Sequence, residues 1–211
     1  MSRPRLPKFG SPDKTYPAAI KAKMGEVKMP EQTPVTTMKE IIVGIDPGQK
    51  GALAVIGDGA LQVYDLKPCY MKTGASNSLD PFLFNNLISK TLPPSVDEVM
   101  VFCEESQVIG GGGIKAGIKS LRSIFDARGV MRSVFWTWGY KINYIQPQVW
   151  KRALELLGHT KFDSVEKACQ IFPESKNLFK KQYHGRFIPL DGRAEAALIA
   201  HYGWTKDKSD T

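Results

Sequence analysis

Cysteine is scarce in this chain of 211 residues: there are three, Cys69, Cys103 and Cys169, far apart. An odd, scattered set argues against a disulfide framework and a cysteine-only zinc site, and fits a reducing compartment. Long apolar runs are also missing; nothing approaches the roughly 18 residues that a membrane span needs. No internal repeat is present, and the first stretch lacks the apolar core of a secretory signal. Acids are in deficit, with 21 Asp and Glu against 29 Lys and Arg, a formal net charge of +8. That excess speaks to polyanionic partners rather than to fold. It leaves nucleic acid and a merely basic soluble protein both open.

What is there describes a globular chain. Hydrophobic residues make up 42% and aromatics 10%, too much for disorder, and the length suits one compact domain with a tail. Residues 1–38 stand apart. Pro4, Pro7, Pro12, Pro17, Pro30 and Pro34 interrupt any helix, and Arg3, Arg5, Lys8, Lys14, Lys21, Lys23 and Lys28 follow no apolar period. This reads as a disordered basic arm, either touching phosphates or simply solvated. Residues 39–205 read as the folded domain and 206–211 as a tail.

Within the domain, Ile41 to Asp46 is a buried strand closing on an acid, and Pro47 to Gly51 is turn chemistry. Ala52 to Ile56 and Leu61 to Leu66 are strands joined by an Asp58-Gly59 hairpin. Leu79 to Leu92 carries helical spacing and Val99 to Glu104 is a fourth strand ending in a carboxylate. After the glycine run Gly110 to Gly113, a long helical pattern reaches Trp138. Ile142 to Ile145 is a fifth strand. Pro147 opens a helix through Leu157, Asp163-Ser164 caps another that Pro173 stops, and a last helix starts near Asp191.

Position singles out four acids. Asp46 and Glu104 end strands, and Asp191 and Glu195, four apart, share a face of the last helix. Brought together, such carboxylates repel unless a cation sits among them. Oxygen ligands with open positions suit Mg²⁺ or Mn²⁺, and two such ions about 4 Å apart activate water for in-line phosphodiester attack. Each acid has an ordinary alternative: a turn former at Asp46, a helix cap at Asp191, a solvated side chain at Glu195. Glu105 rivals Glu104 for its position.

Gly44-Ile45-Asp46-Pro47-Gly48, with Gly51-Ala52-Leu53-Ala54 after it, resembles the first motif of RuvC-type Holliday-junction resolvases of the RNase H-like superfamily. Phe102 to Ser106 resembles their second motif. Asp191-Gly192-Arg193-Ala194-Glu195 through Ala200 resembles the C-terminal one, in its phage and chloroplast version. Tyr144 to Lys151 and Asp163-Ser164 match the same relatives. The resemblance spans about Lys39 to Trp204. It implies an α/β fold with a five-stranded mixed sheet of order 3-2-1-4-5 flanked by helices, acting as a homodimer. It further implies paired symmetric nicking of four-way DNA junctions by two-metal hydrolysis, with Asp46, Glu104, Asp191 and Glu195 as catalytic Mg²⁺ or Mn²⁺ ligands. Bacterial members space their last two acids three apart and end on Asp; here the gap is four and the last acid is Glu195.

The basic residues then acquire places. Lys115, Lys119 and Arg122 recur at helical spacing, and Lys151 and Arg152 follow in a stretch with one acid, Asp126. Backbone phosphates are the expected contacts, with a solvated face as the alternative. Lys180, Lys181, His184 and Arg186, with Tyr183 and Phe187, read as a loop closing over the scissile phosphate or as a plain exposed loop. Val108, Ile109 and the glycines beyond them lie where relatives place residues that open a junction. The rival functions are a flap or RNA–DNA hybrid nuclease and a non-catalytic junction-binding protein. The expected location is intracellular, in a bacterial or phage-infected cytoplasm or in an organelle, with no membrane association.

Overall fold

Five short apolar runs pair into one sheet. The computed structural model describes residues 40–73, 76–94, 99–105 and 118–209, without the side chains of 76, 118–122 and 207–209. Strands β1 (Ile41–Ile45), β2 (Ala52–Gly57) and β3 (Ala60–Asp65) form an antiparallel meander. Asp58 and Gly59, both with positive φ, make the tight hairpin turn between β2 and β3. A second hairpin, β4 (Tyr70–Thr73) with β5 (Ser76–Leu79), leads to helix α1 (Pro81–Thr91). Then follow β6 (Val99–Glu104), α2 (Ile118–Thr137), β7 (Ile142–Ile145), α3 (Pro147–Ala153) and α4 (Lys161–Ile171). A third hairpin, β8 (Lys180–Tyr183) with β9 (Arg186–Pro189), precedes α5 (Asp191–Ser209).

The main sheet runs β3-β2-β1-β6-β7, with β6 parallel to both β1 and β7. Counting only its own strands, the order is the expected 3-2-1-4-5, a mixed sheet flanked by helices. Strand β1 is central and fully buried along its length, as its unbroken apolar sequence requires.

Helix α5 lies unusually close to the sheet. A Cβ on Gly44 would stand 2.2 Å from the backbone oxygen of Ala196 and 2.3 Å from the nitrogen of Ala200. One on Gly203 would stand 2.4 Å from the Phe102 ring. The small-residue face of α5 therefore exists because backbone meets backbone there. Ile42, Phe102, Ala196, Ala197, Ala200, Trp150 and Val165 build the core on this side. On α1 and α2, Phe84 and Phe135 meet edge-on, with ring centroids 5.6 Å apart.

Several local expectations need correction. Leu79 ends β5 and does not begin a helix; α1 starts at Pro81, capped by Asp80, whose carboxylate accepts from the Phe82 and Leu83 amides. Helix α3 stops at Ala153 and leaves Leu157 exposed. The cap of α4 is Thr160, with Asp163 returning the bond to the Thr160 amide in a capping box. Residues 180–189 form a hairpin and not an irregular loop. The last helix runs from Asp191 to Ser209.

Candidate active site

The sheet register sets the first two acids side by side. Ile45 pairs with Cys103 across the parallel β1–β6 ladder, so Asp46 and Glu104 follow at the same edge. The Asp46 amide donates to the Ala52 carbonyl (3.1 Å) and the Gly51 amide to the Gly48 carbonyl (2.9 Å), which closes the turn tightly. A side chain on Gly51 would strike the Asp46 carbonyl oxygen at 2.0 Å. One on Gly192 would strike the Lys50 carbonyl oxygen at 2.1 Å. The first turn of α5 thus backs directly onto the β1–β2 turn, and the Gly44 approach holds the next turn down. Together these contacts bring Asp191 and Glu195 to Asp46.

Electrostatics register the convergence. Burial, then Glu195 and Glu104, then Asp191 push the Asp46 carboxyl up to about 7, with Lys161 opposing. Burial also raises Glu104, against the hydrogen bond from Trp150 Nε1 to its Oε2 (2.9 Å). Asp191 is partly buried, which favours its protonated form. The Lys161 ammonium bonded to Oδ2 outweighs this and holds the carboxyl below its usual range. Glu195 is 8% exposed and its Oε1 accepts from Lys151 Nζ at 3.2 Å. Two lysines thus sit against the two acids of α5.

The donor set is all carboxylate oxygen, which suits a hard divalent cation. Among the described residues, no group of three or more His, Cys, Asp or Glu side chains is arranged so as to hold a metal ion. The fit is therefore one of charge and donor chemistry. Gripping an ion calls for side-chain rotation and for release of the lysine contacts.

The remaining expected residues divide. Glu105 does not join the cluster: it pairs with Arg128 at 3.2 Å, and Arg128 stacks 4.7 Å over the Tyr144 ring. Lys151 is bound to Glu195, while its neighbour Arg152 is exposed. Lys180 is engaged by Glu166 at 2.5 Å, whereas Lys181 and Arg186 stand exposed on the hairpin. Lys119 and Arg122 lie on α2, but their side chains are outside the described residues. Lys115, Val108, Ile109 and the glycine run are outside them too, as is the arm.

Sequence reasoning missed three contributors. Trp150 lies on α3, and nothing in the sequence marks its indole as a donor to Glu104. Lys161 is thirty residues from Asp191 and carries no local signal. Tyr70 donates to the Pro47 carbonyl at 3.4 Å from β4, a strand that no apolar pattern announces.

The sequence matches no protein-family profile and no curated protein. Solved structures similar in fold include two of a single protein. One is Thermus thermophilus RuvC in complex with a Holliday junction substrate, 15% identical, TM-score 0.46, covering 80% of this chain and 96% of that one. The other is a Thermus thermophilus RuvC structure, 17% identical, TM-score 0.48, covering 79% and 96%.

Proposed function

We propose that the chain is a divalent-metal-dependent endonuclease that resolves four-way DNA junctions by paired nicks, acting as a homodimer. One observation carries the reading: Glu104 at the end of β6 and Glu195 and Asp191 of α5 all act electrostatically on one acid, Asp46, next to the end of β1. A fold rarely collects like charges in this way unless the site uses them. Asp46, Glu104 and Glu195, with Asp191, would hold Mg²⁺ or Mn²⁺. Two bound ions supply activation of the attacking water and stabilisation of the leaving oxygen.

The chain's own residues do the rest. Trp150 fixes the Glu104 carboxylate in one orientation. Lys151 and Lys161 balance the acids of α5 and are placed to meet a DNA phosphate once released. Arg152, Lys181 and Arg186 add exposed positive charge for backbone contact, with Lys115, Lys119 and Arg122 in the same role on the stretch leading into α2 and its first turn. Such contacts make binding salt-dependent without choosing sequence.

A second copy is supported by α2. Phe125 and Trp136 are 52% and 71% exposed and lie eleven residues, about three turns, apart on one helix face. A two-fold dimer along that face would give two sites for two symmetric nicks. Residues 39–205 would form the nuclease domain, 1–38 a basic arm and 206–211 a tail, at work inside the cell.

The test is one cleavage assay with Mg²⁺ on a mobile four-way junction, a flap, an RNA–DNA hybrid and a linear duplex. Selective, paired nicking of the junction is expected. Asp46→Asn should abolish cleavage and leave junction binding intact; full cleavage by that variant overturns the assignment. Equal cutting of flap or hybrid reassigns the substrate.

A further inference from the structure

The β8–β9 hairpin is built in a way the cleavage chemistry does not explain. Every residue from Lys181 to Pro189 is exposed, so neither face is covered among the described residues. An isolated two-stranded hairpin is only marginally stable in water. This one is secured at its root: the Leu190 amide donates to the Phe179 carbonyl at 2.8 Å, and Phe179 is fully buried. Its turn, His184-Gly185, has positive φ at both positions, the tight geometry that matches strand twist.

The outer part of this hairpin carries large apolar side chains. Tyr183 is 57%, Phe187 69% and Ile188 43% exposed. Cross-strand partners share a face, so Tyr183 lies with Arg186, and Lys181 with Ile188. One face therefore presents an aromatic ring, an aliphatic side chain and two cations. Phe187 stands on the other, opposite Gln182. The His184 ring meets Tyr183 edge-on at 4.2 Å, which braces it. Exposed rings interleaved with Lys and Arg are what unpaired nucleic acid binds: bases stack on the rings and phosphates meet the cations.

Its location fits the same occupant. Pro189, the last residue of β9, lines a cleft of about 300 Å³ together with Lys50, Lys67, Asp191 and the Arg193–Asp65 ion pair. The foot of the hairpin therefore borders a cleft that contains one of the four acids.

We infer that the β8–β9 hairpin is a base-stacking element: Tyr183 and Phe187 take unpaired bases at the branch point of the DNA, while Lys181 and Arg186 hold the flanking phosphates. This rests on the junction reading and adds the part of the substrate that is recognised. Stacking acts only on bases freed from the duplex, so junction and duplex binding separate the roles.

The experiment measures affinities of the full chain, without divalent metal and at one fixed salt concentration, for a four-way junction, single-stranded DNA and linear duplex. Phe187→Ala and Tyr183→Ala should each weaken junction and single-strand binding about 5- to 150-fold, the effect of one base–aromatic stack, and leave duplex binding within about twofold. Phe187→Trp should keep junction affinity. Lys181→Ala and Arg186→Ala should instead weaken all three and flatten the salt dependence. The side chains are exposed, so unchanged thermal melting is expected of every variant and shows that lost affinity is local. Wild-type selectivity for the junction that survives both alanine substitutions overturns this inference alone. A change in sedimentation without loss of junction affinity assigns the hairpin to a protein contact and also overturns it. No wild-type preference for the junction over duplex overturns the junction reading and this inference with it.

Discussion

The indole Nε1 of Trp150 donates a 2.9 Å hydrogen bond to Oε2 of Glu104, joining the first turn of α3 to the acid that closes β6. Trp150 is fully buried, so no water can replace the donor. A hydrogen bond to a charged group contributes roughly 1.5–3 kcal/mol. Trp150→Phe should lower stability by about that much plus a smaller packing loss, and raise the pKa of the already elevated Glu104 further. Urea denaturation at about pH 5 and about pH 8 checks it. The loss should be larger at the higher pH, where more of Glu104 is ionised; an equal loss at both assigns the effect to packing alone.

Asp46 makes the protein itself pH-sensitive. Its carboxyl titrates at about 7 in the fold and near 3.8 in the unfolded chain. Between those values the folded state holds a proton that the unfolded state has released. Without divalent metal, stability should therefore fall as pH rises from about 4 to about 7, by about 1.4 kcal/mol per pH unit. Asp46→Asn removes the charge and should flatten the profile, melting above wild type at about pH 8. Mn²⁺ should also raise the wild-type melting temperature more at that pH than at about pH 6, since the ion competes with the proton.

On the proposed reading, Lys161 and a divalent cation compete for the Asp191 carboxylate. Replacing Lys161 by Ala removes one positive charge in contact with Asp191. Mn²⁺ should then bind at least about fivefold tighter, the effect of roughly 1 kcal/mol at short range, as read by titration calorimetry at fixed pH and salt. Weaker binding instead would make Lys161 a holder of the Asp191 rotamer rather than a competitor.

Two glycines give opposite outcomes. Gly44→Ala drives a methyl into the backbone of α5 at Ala196 and Ala200, where nothing flexible can yield. It should cost about 3 kcal/mol or more and lift Glu195 away from Asp46. Gly129 lies inside α2, and a methyl group added to it would meet nothing within 4 Å. Gly129→Ala should therefore stabilise by up to about 1 kcal/mol through helix propensity. Thermal melting of the two variants decides both.

The main sheet was legible because three of its strands are apolar runs bounded by turn residues: Ile41–Ile45, Ala52–Gly57 and Val99–Glu104 have nowhere to go but a buried sheet. The β4–β5 and β8–β9 hairpins were not. Tyr70–Thr73, Ser76–Leu79 and Lys180–Tyr183 are four-residue strands with no apolar alternation, and pairing across a tight turn makes them strands. Asp163 looked like a cap because its type suits one; Thr160 takes the role because the chain enters the helix three residues earlier.

By itself, the sequence determined the strands, the order of the long helices and the four acids at element ends, since apolar period and strand-end chemistry are local properties. Tertiary structure alone decided that Glu104, Asp191 and Glu195 act on Asp46, that Trp150, Lys151 and Lys161 are partners of these acids, and that Glu105 and Lys180 are occupied elsewhere. Parallel pairing of β1 with β6 and the backbone-close seating of α5 on Gly44 join segments far apart in the chain. No pattern within either segment encodes such a contact; it follows from how closely two surfaces can pack.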